Sequence, residues 1–314
     1  MSLVSVNVIS YNQAPYLQQR IESVLQQSFN EYELIIWDDA STDHSYEIIE
    51  QYRLHKKASR IIFNDKNSGN GYLQWQKVIN ACKSKYIWLA EGDDFAEPDF
   101  LKKTVAFMEA NPTAALVEVD SFYVKNEEKN TRFSEYKNLN FPHPEWQETI
   151  LFDGKEYLLK NLTNGNSIIN VSSVLFRTEA LQSVKTRFYD FKFSGDWALY
   201  IELCKKWNVG YLHEVLSNFR IHSTNHSKTG VANGTLYKEN FKIITQLFQY
   251  LKKEGVSTDE YLKPLSRYIT VFGVPFKAKL SLINYYFKTN PLIAIKGLFY
   301  NFKNRFFTPK NKQY

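Results

Sequence analysis

The chain opens on an uncharged run rich in β-formers over residues 3–9, which reads as a strand buried on both faces. A polar turn at Ser10, Tyr11, Asn12 and Gln13 follows. Pro15 then opens a helix whose apolar positions Leu17, Ile21, Val24 and Leu25 share one face. The alternation repeats. Residues 33–37 form a second apolar strand ending in Asp38-Asp39, and Ser41 or Thr42 can cap a helix running to about Tyr52. A third short strand over 60–63, a turn at 67–71, a helix over 72–83 and a fourth strand ending at Glu91 complete the run. Strand and helix alternating in this way predict a parallel sheet with helices on both faces. Beyond it the pattern predicts a helix over 98–109, a strand over 114–119 and a long irregular excursion over 120–147. A strand over 170–176, a helix over 196–207, a strand over 216–221 and helix from about Leu236 follow.

The fourth strand ends in Glu91-Gly92-Asp93-Asp94, three carboxylates around a glycine. Such a cluster at the carboxyl edge of a sheet suits a hard divalent cation with a phosphate ligand, or else a plain acidic turn before the next helix. Asp39, at another strand end, can accept from a nucleobase or ribose, or cap its helix. No Gly-x-Gly-x-x-Gly or Gly-x-x-x-x-Gly-Lys-Ser/Thr occurs, which argues against dinucleotide oxidoreductases and P-loop enzymes. Without a glycine cradle, diphosphate charge would fall to a metal at Asp94 and to Lys77, Arg220 and His222. Gly195-Asp196-Trp197 offers either a helix cap or a general base at Asp196.

Composition narrows the class little. The 314 residues, 44% hydrophobic, suffice for one large α/β domain with an appendage. Thirty-nine basic against 33 acidic residues give +6, which suits anionic small molecules or lipid surfaces and not a nucleic-acid binder. Cys82 and Cys204 lack metal or redox spacing and read as reduced packing residues. No signal peptide or membrane span is evident, which implies a cytoplasmic location.

Seven segments in order resemble the family 2 glycosyltransferases of the GT-A fold, from Val4 to about His226. They are Val4 to Asn12, Ser23 to Phe29, Glu33 to Asp43, Asn67 to Asn70, Glu91 to Asp94, Gly195 to Trp197 and Phe219 to His222. The resemblance implies an α/β, Rossmann-like mixed sheet over residues 1–230, with a helical C-terminal region over 231–314. It implies inverting transfer of a sugar from a nucleotide-sugar, a UDP-sugar foremost, to a glycan or polyprenyl-linked hydroxyl in bacterial surface-polysaccharide synthesis. Carried over by position, Ser10, Tyr11, Asn12 and Asp39 line the nucleotide pocket, and Asp93 meets ribose or sugar. Asp94 and His222 hold Mn²⁺ or Mg²⁺, Arg220 stands behind His222, and Asp196 is the base. Two positions depart from the family. Glu91 stands where many relatives have Asp, and Gln76-Lys77 with Asn80 replaces their Arg-Asn pair, so that Lys77 supplies charge without a bidentate fork. A catalytically silent sugar-nucleotide-binding subunit and a sugar nucleotidyltransferase are the alternative functions. In the tail, aromatics interleave with Lys and Arg, as in Tyr285 to Lys288 and Phe299 to Phe307. That pattern suits peripheral contact with the inner face of the membrane, or packing on protein, a second copy included.

Overall fold

The computed structural model describes residues 2–141, 146–222, 230–231, 233–257 and 276–307, with backbone alone for 276–278 and 300–307. Thr224 and His226, at the far end of the resemblance, and the tail around Tyr261 lie outside the described residues. The chain divides into two units, Met1–Leu162 with Asn166–Ser223, and Thr163–Gly165 with Thr224–Tyr314.

The first unit is built on one mixed sheet. β1 (Val4–Ser10) is buried at every position and pairs in parallel with β2 (Tyr32–Asp38) and with β4 (Tyr86–Glu91). β3 (Ala58–Phe63) pairs with β2 in parallel at the edge. Strands buried almost throughout, such as β1 and β4, survive in a sheet only when helices cover both faces. α1 (Ala14–Leu25) does part of this, burying Leu17, Ile21 and Val24 together with Arg20. β4 lies on the opposite side of β1 from β2 and β3, so the strand order reverses between β1 and β4. Crevices at such reversals are where open α/β sheets bind ligands.

Past β4 the sheet turns mixed, through β5 (Phe95–Ala96), β6 (Ala114–Lys125), β7 (Glu128–Arg132), β8 (Ile150–Phe152), β9 (Val174–Arg177) and β10 (Asn208–Arg220). β9 runs antiparallel to both β4 and β6, and β10 parallel to β6. Over residues 120–141 the excursion is more ordered than its composition predicts. β6 runs on to Lys125, a two-residue turn follows with φ of 51° at Asn126 and 63° at Glu127, and β7 returns antiparallel. Two successive positive φ values match the twist of a tight hairpin. α5 (Phe133–Asn140) then closes over β6, its buried Lys137 paired with buried Glu118 and lying 4.3 Å from the ring of Trp146. β10 is longer than the predicted 216–221 strand because register shifts at Leu212/Val215 and Val215/Ser217 break its two-residue period.

In the second unit, α10 (Phe276–Thr289) packs on α9 (Thr235–Lys253) and on α11 (Pro291–Phe307). Among the described residues no helix is long and apolar enough to cross a membrane.

Candidate active site

The parallel register places Ser10 beside Asp38 and Ile9 beside Glu91, so three loops leave the same sheet edge. Asn12 and Ala40 both adopt positive φ there, which turns the first two loops toward each other. Asn12 then bonds across, its N–H donating to Ser41 Oγ at 2.9 Å and its Oδ1 accepting from Thr42 N–H at 2.7 Å. Tyr11, 46% exposed, presents its ring at this rim. Ser10 is buried, and its hydroxyl has no partner among the described residues.

Asp39 turns inward. Its carboxylate accepts from Asn64, Asn67, Ser68 and Gln74, including Ser68 Oγ at 2.6 Å and Gln74 Nε2 at 2.5 Å. It therefore organises the 64–74 loop and the start of α3 (Gly71–Ala81), where the sequence suggested an open ribose or base contact. Lys77 also departs from expectation: it is exposed and donates to Asn64 at 3.3 Å, on the Asp39 side of α3. α3 reaches the acidic cluster through Trp75 instead, whose Nε1 donates to Glu91 at 2.7 Å.

Around Glu91 to Asp94 the positive charge is internal. Arg20 is fully buried, its Nε donating to the Glu91 carbonyl at 2.8 Å and its guanidinium 5.2 Å from the Trp88 ring centroid. Its two terminal nitrogens have no hydrogen-bond partner among the described residues. Burial lowers its pKa to about 10 even though Asp94, Asp93 and Glu91 oppose the change. The acids respond in the other direction. Burial, with repulsion from Asp93, raises Glu91 to about 8 and Asp94 to about 6.

Asp94 is 1% exposed, and each of its oxygens accepts a hydrogen bond: Oδ1 from the Arg220 main-chain N–H at 2.9 Å, Oδ2 from Asn170 at 2.8 Å. A carboxylate oxygen keeps a second lone pair beside such a bond, so these contacts leave Asp94 able to ligate a metal. The half-buried pair at the rim is Asp93 and His222, with Oδ2 and Nε2 2.9 Å apart and the imidazole 4.9 Å from the Tyr16 ring. Among the described residues no three His, Cys, Asp or Glu side chains gather as a ready metal site. One carboxylate and one imidazole still fit a hard cation that takes its remaining ligands from phosphate and water. Arg220 is anchored at the same rim. Its guanidinium is held by Glu127 at 3.1 Å, by Gln19 and by the Asp93 carbonyl, and lies over the Tyr16 ring at 4.7 Å.

Asp196 sits in the first turn of α8 (Gly195–Cys204) and is partly buried. Its Oδ1 accepts from the Tyr72 hydroxyl at 3.2 Å and from the Trp197 N–H at 2.8 Å, and its Oδ2 from Asn166 at 2.8 Å. Desolvation raises its pKa to about 6 against those three bonds. The two acidic centres share one support. Asn70 caps α3 by accepting from Tyr72 N–H at 3.0 Å and clamps the carbonyls of Tyr189 and Phe191 just before α8. α3 thus carries Tyr72 to Asp196 and Trp75 to Glu91, the two rings meeting edge-on at 4.9 Å.

Gly195 is required by this junction, because a Cβ there would lie 2.5 Å from the Phe188 carbonyl and 2.6 Å from the Tyr72 ring. Gly195→Ala is expected to cost about 1–3 kcal/mol by overpacking, read as a lower denaturant midpoint at constant slope, and to weaken the Tyr72–Asp196 bond.

The family model described as Glycosyl transferase family 2 matches residues 5–184. The chain belongs to glycosyl transferase family 2. It is a glycosyltransferase, and its sheet is that of the GT-A fold. TuaG of Bacillus subtilis, named for teichuronic acid biosynthesis, is 34% identical over 106 residues, covering 34% of this chain and 42% of TuaG. A glycosyltransferase of Haemophilus influenzae is 25% identical over 263 residues, 81% of this chain and 76% of that protein. Among solved structures, S. aureus TarS 1-349 in complex with UDP-GlcNAc superposes with a TM-score of 0.61 at 16% identity, over 94% of this chain and 91% of that one. The mannosyltransferase PcManGT of Pyrobaculum calidifontis, in complex with GDP-Man and Mn²⁺, gives 0.55 at 13%, over 98% and 76%. At such identities the superpositions speak for the fold alone.

Arg20, Tyr72, Trp75, Asn166 and Asn170 bond to the acidic residues of this candidate site without having been marked by any motif. The signal for Arg20 was present, since it follows Leu17 by three residues on the buried face of α1.

Proposed function

We propose that this glycosyltransferase transfers a sugar from a nucleoside diphosphate donor, foremost a UDP-sugar, to a hydroxyl of a glycan or lipid-linked acceptor, with inversion. The observation that carries the reading is Asp196, a partly buried carboxylate raised to about 6, fixed by three donors and joined through α3 to the acidic loop at the sheet's switch point. A base with such a pKa is ionised at neutral pH yet close enough to the working pH to take a proton efficiently. Asp196 accepts the proton of the acceptor hydroxyl as that oxygen bonds to the anomeric carbon. The bond from the anomeric carbon to the β-phosphate oxygen breaks, and its electron pair leaves with the nucleoside diphosphate. Asp93 and His222 would hold Mn²⁺ or Mg²⁺, whose chemistry here is to neutralise the leaving diphosphate. Asp94 ties the acidic loop to β10, Arg20 supports that loop from below, and Tyr11 offers its ring to the nucleobase. The names of relatives such as TuaG favour a role in polysaccharide assembly.

Thermal unfolding with UDP or GDP, with and without Mn²⁺, tests the binding half. Ligand at 100 times Kd stabilises by about 2.7 kcal/mol, a shift of several degrees for a domain of this size. We expect the full shift from one diphosphate with Mn²⁺, and a smaller one in His222→Ala. No shift from either nucleotide under any condition would reject the reading. Binding without donor hydrolysis would favour a silent subunit.

A further inference from the structure

We propose that the hairpin of α10 and α11 docks on an anionic lipid surface, lying on it rather than crossing it. The inference is independent of the donor and of the chemistry at Asp196. α10 is apolar on two faces. One buries Leu282 and Tyr286, the latter with its ring 4.3 Å from that of Phe241 on α9. The other presents Leu280, Ile283 and Phe287, and α11 repeats the same i, i+3, i+7 spacing with Leu292, Ile295 and Phe299. These six side chains are between 39% and 73% exposed. An outward stripe of this length on two successive helices marks an interaction surface.

Charge chooses the occupant. No Asp or Glu follows Glu260, while ten Lys and Arg residues do, so the chain's entire excess of +6 resides in its last 54 residues and the remainder is net negative. Lys288 and Lys296 are exposed beside the stripes. A second copy would bring an equally cationic, acid-free segment against this one and leave both sets of charge unmet. Anionic headgroups supply the missing countercharge while acyl chains receive the apolar stripe, the arrangement of an interfacial helix. No described helix is long and apolar enough to span.

The test is flotation of the full chain with vesicles of phosphatidylcholine alone or with ~40% phosphatidylglycerol. We expect at least about tenfold more protein on the anionic vesicles at ~0.1 M salt, with the excess lost at ~0.5 M, where screening is stronger. Leu292→Ser with Ile295→Ser and Phe299→Ser should abolish binding without moving the melting temperature. Lys288→Glu with Lys296→Glu should abolish the preference for anionic lipid, and it serves as the readout if the serine variant fails to fold. Equal binding to both vesicles, or binding retained in these variants, overturns the proposal. So does a wild-type dimer in light scattering that the serine variant dissociates, which would assign the face to a second copy.

Discussion

Replacing Asp196 with Asn is expected to lower sugar transfer by about 10²–10⁴-fold, the usual contribution of a general base, with nucleotide binding unchanged. The fold should tolerate it. The introduced carboxamide can still accept from Tyr72 and from the Trp197 N–H, and its new amide group would face Asn166, whose Oδ1 is buried and unpartnered among the described residues. Rotation of the Asn166 amide would restore that bond. The substitution also removes a partly buried charge. With a folded pKa of about 6 against an ordinary 3.8, the wild-type side chain favours its protonated form in the folded state. Its ionisation therefore opposes folding above about pH 6, by roughly 3 kcal/mol at full effect, and that cost fades as pH falls from 6 toward 4. Asp196→Asn should accordingly melt no lower than wild type at about pH 7.5, and higher if the amide turns. In wild type, the rate of transfer should fall about tenfold per pH unit below 6, because only the carboxylate can take the proton. A transfer rate in Asp196→Asn within a few-fold of wild type would remove Asp196 as the base.

Asp94→Ala is expected to be the most damaging change at the acidic loop, through structure as much as chemistry. The substitution strands the Arg220 N–H and the Asn170 amide, both bonded to Asp94 in a site it shares with buried Arg20. A buried donor left unpaired costs about 1–3 kcal/mol, and a buried cation deprived of its countercharge costs more. We expect a loss of about 2–4 kcal/mol together with loss of transfer. Asp94→Asn should lose less, since one oxygen remains for Arg220. Asn170 cannot turn to meet the new amide, because its own Oδ1 caps the following turn at Ser172 N–H. Calorimetric titration with Mn²⁺ and nucleotide separates the roles: Asp93→Asn and His222→Ala should weaken metal binding at unchanged stability, whereas Asp94→Asn should lower stability first. Weakened Mn²⁺ binding in a fully stable Asp94→Asn protein would make Asp94 a metal ligand beside Asp93 and His222.

The half of the sheet nearest the site was legible because β1, β2 and β4 are apolar runs that water would not tolerate in any other setting. β7 was not legible, since Glu128-Lys129-Asn130-Thr131-Arg132 is an almost fully exposed edge with no alternation to reveal it. α5 was obscured by Lys137, a charge in its buried face that only Glu118 and two aromatic rings make tolerable. At the site, the strand ends located Asp39, Glu91, Asp93 and Asp94, but residue type cannot say which carboxylates are already spent on the protein. Asp39 is, with four residues donating to it, whereas Asp94 accepts one bond on each oxygen. Lys77 was placed by analogy of charge, whereas helix phase turns Tyr72 and Trp75 toward the two acidic centres and Lys77 toward Asn64. Arg20 was legible only by its phase, three residues after Leu17 on the buried face of α1, because an arginine on an amphipathic helix otherwise reads as solvent-facing.

The chemistry proposed for the site reduces to a single displacement at the anomeric carbon with Asp196 as base. Its decisive test is the anomeric configuration of the first-formed product, read by proton NMR during turnover of α-linked UDP- and GDP-sugars. The expected product is β-linked, and absent with Asp196→Asn. An α-linked product would contradict the mechanism.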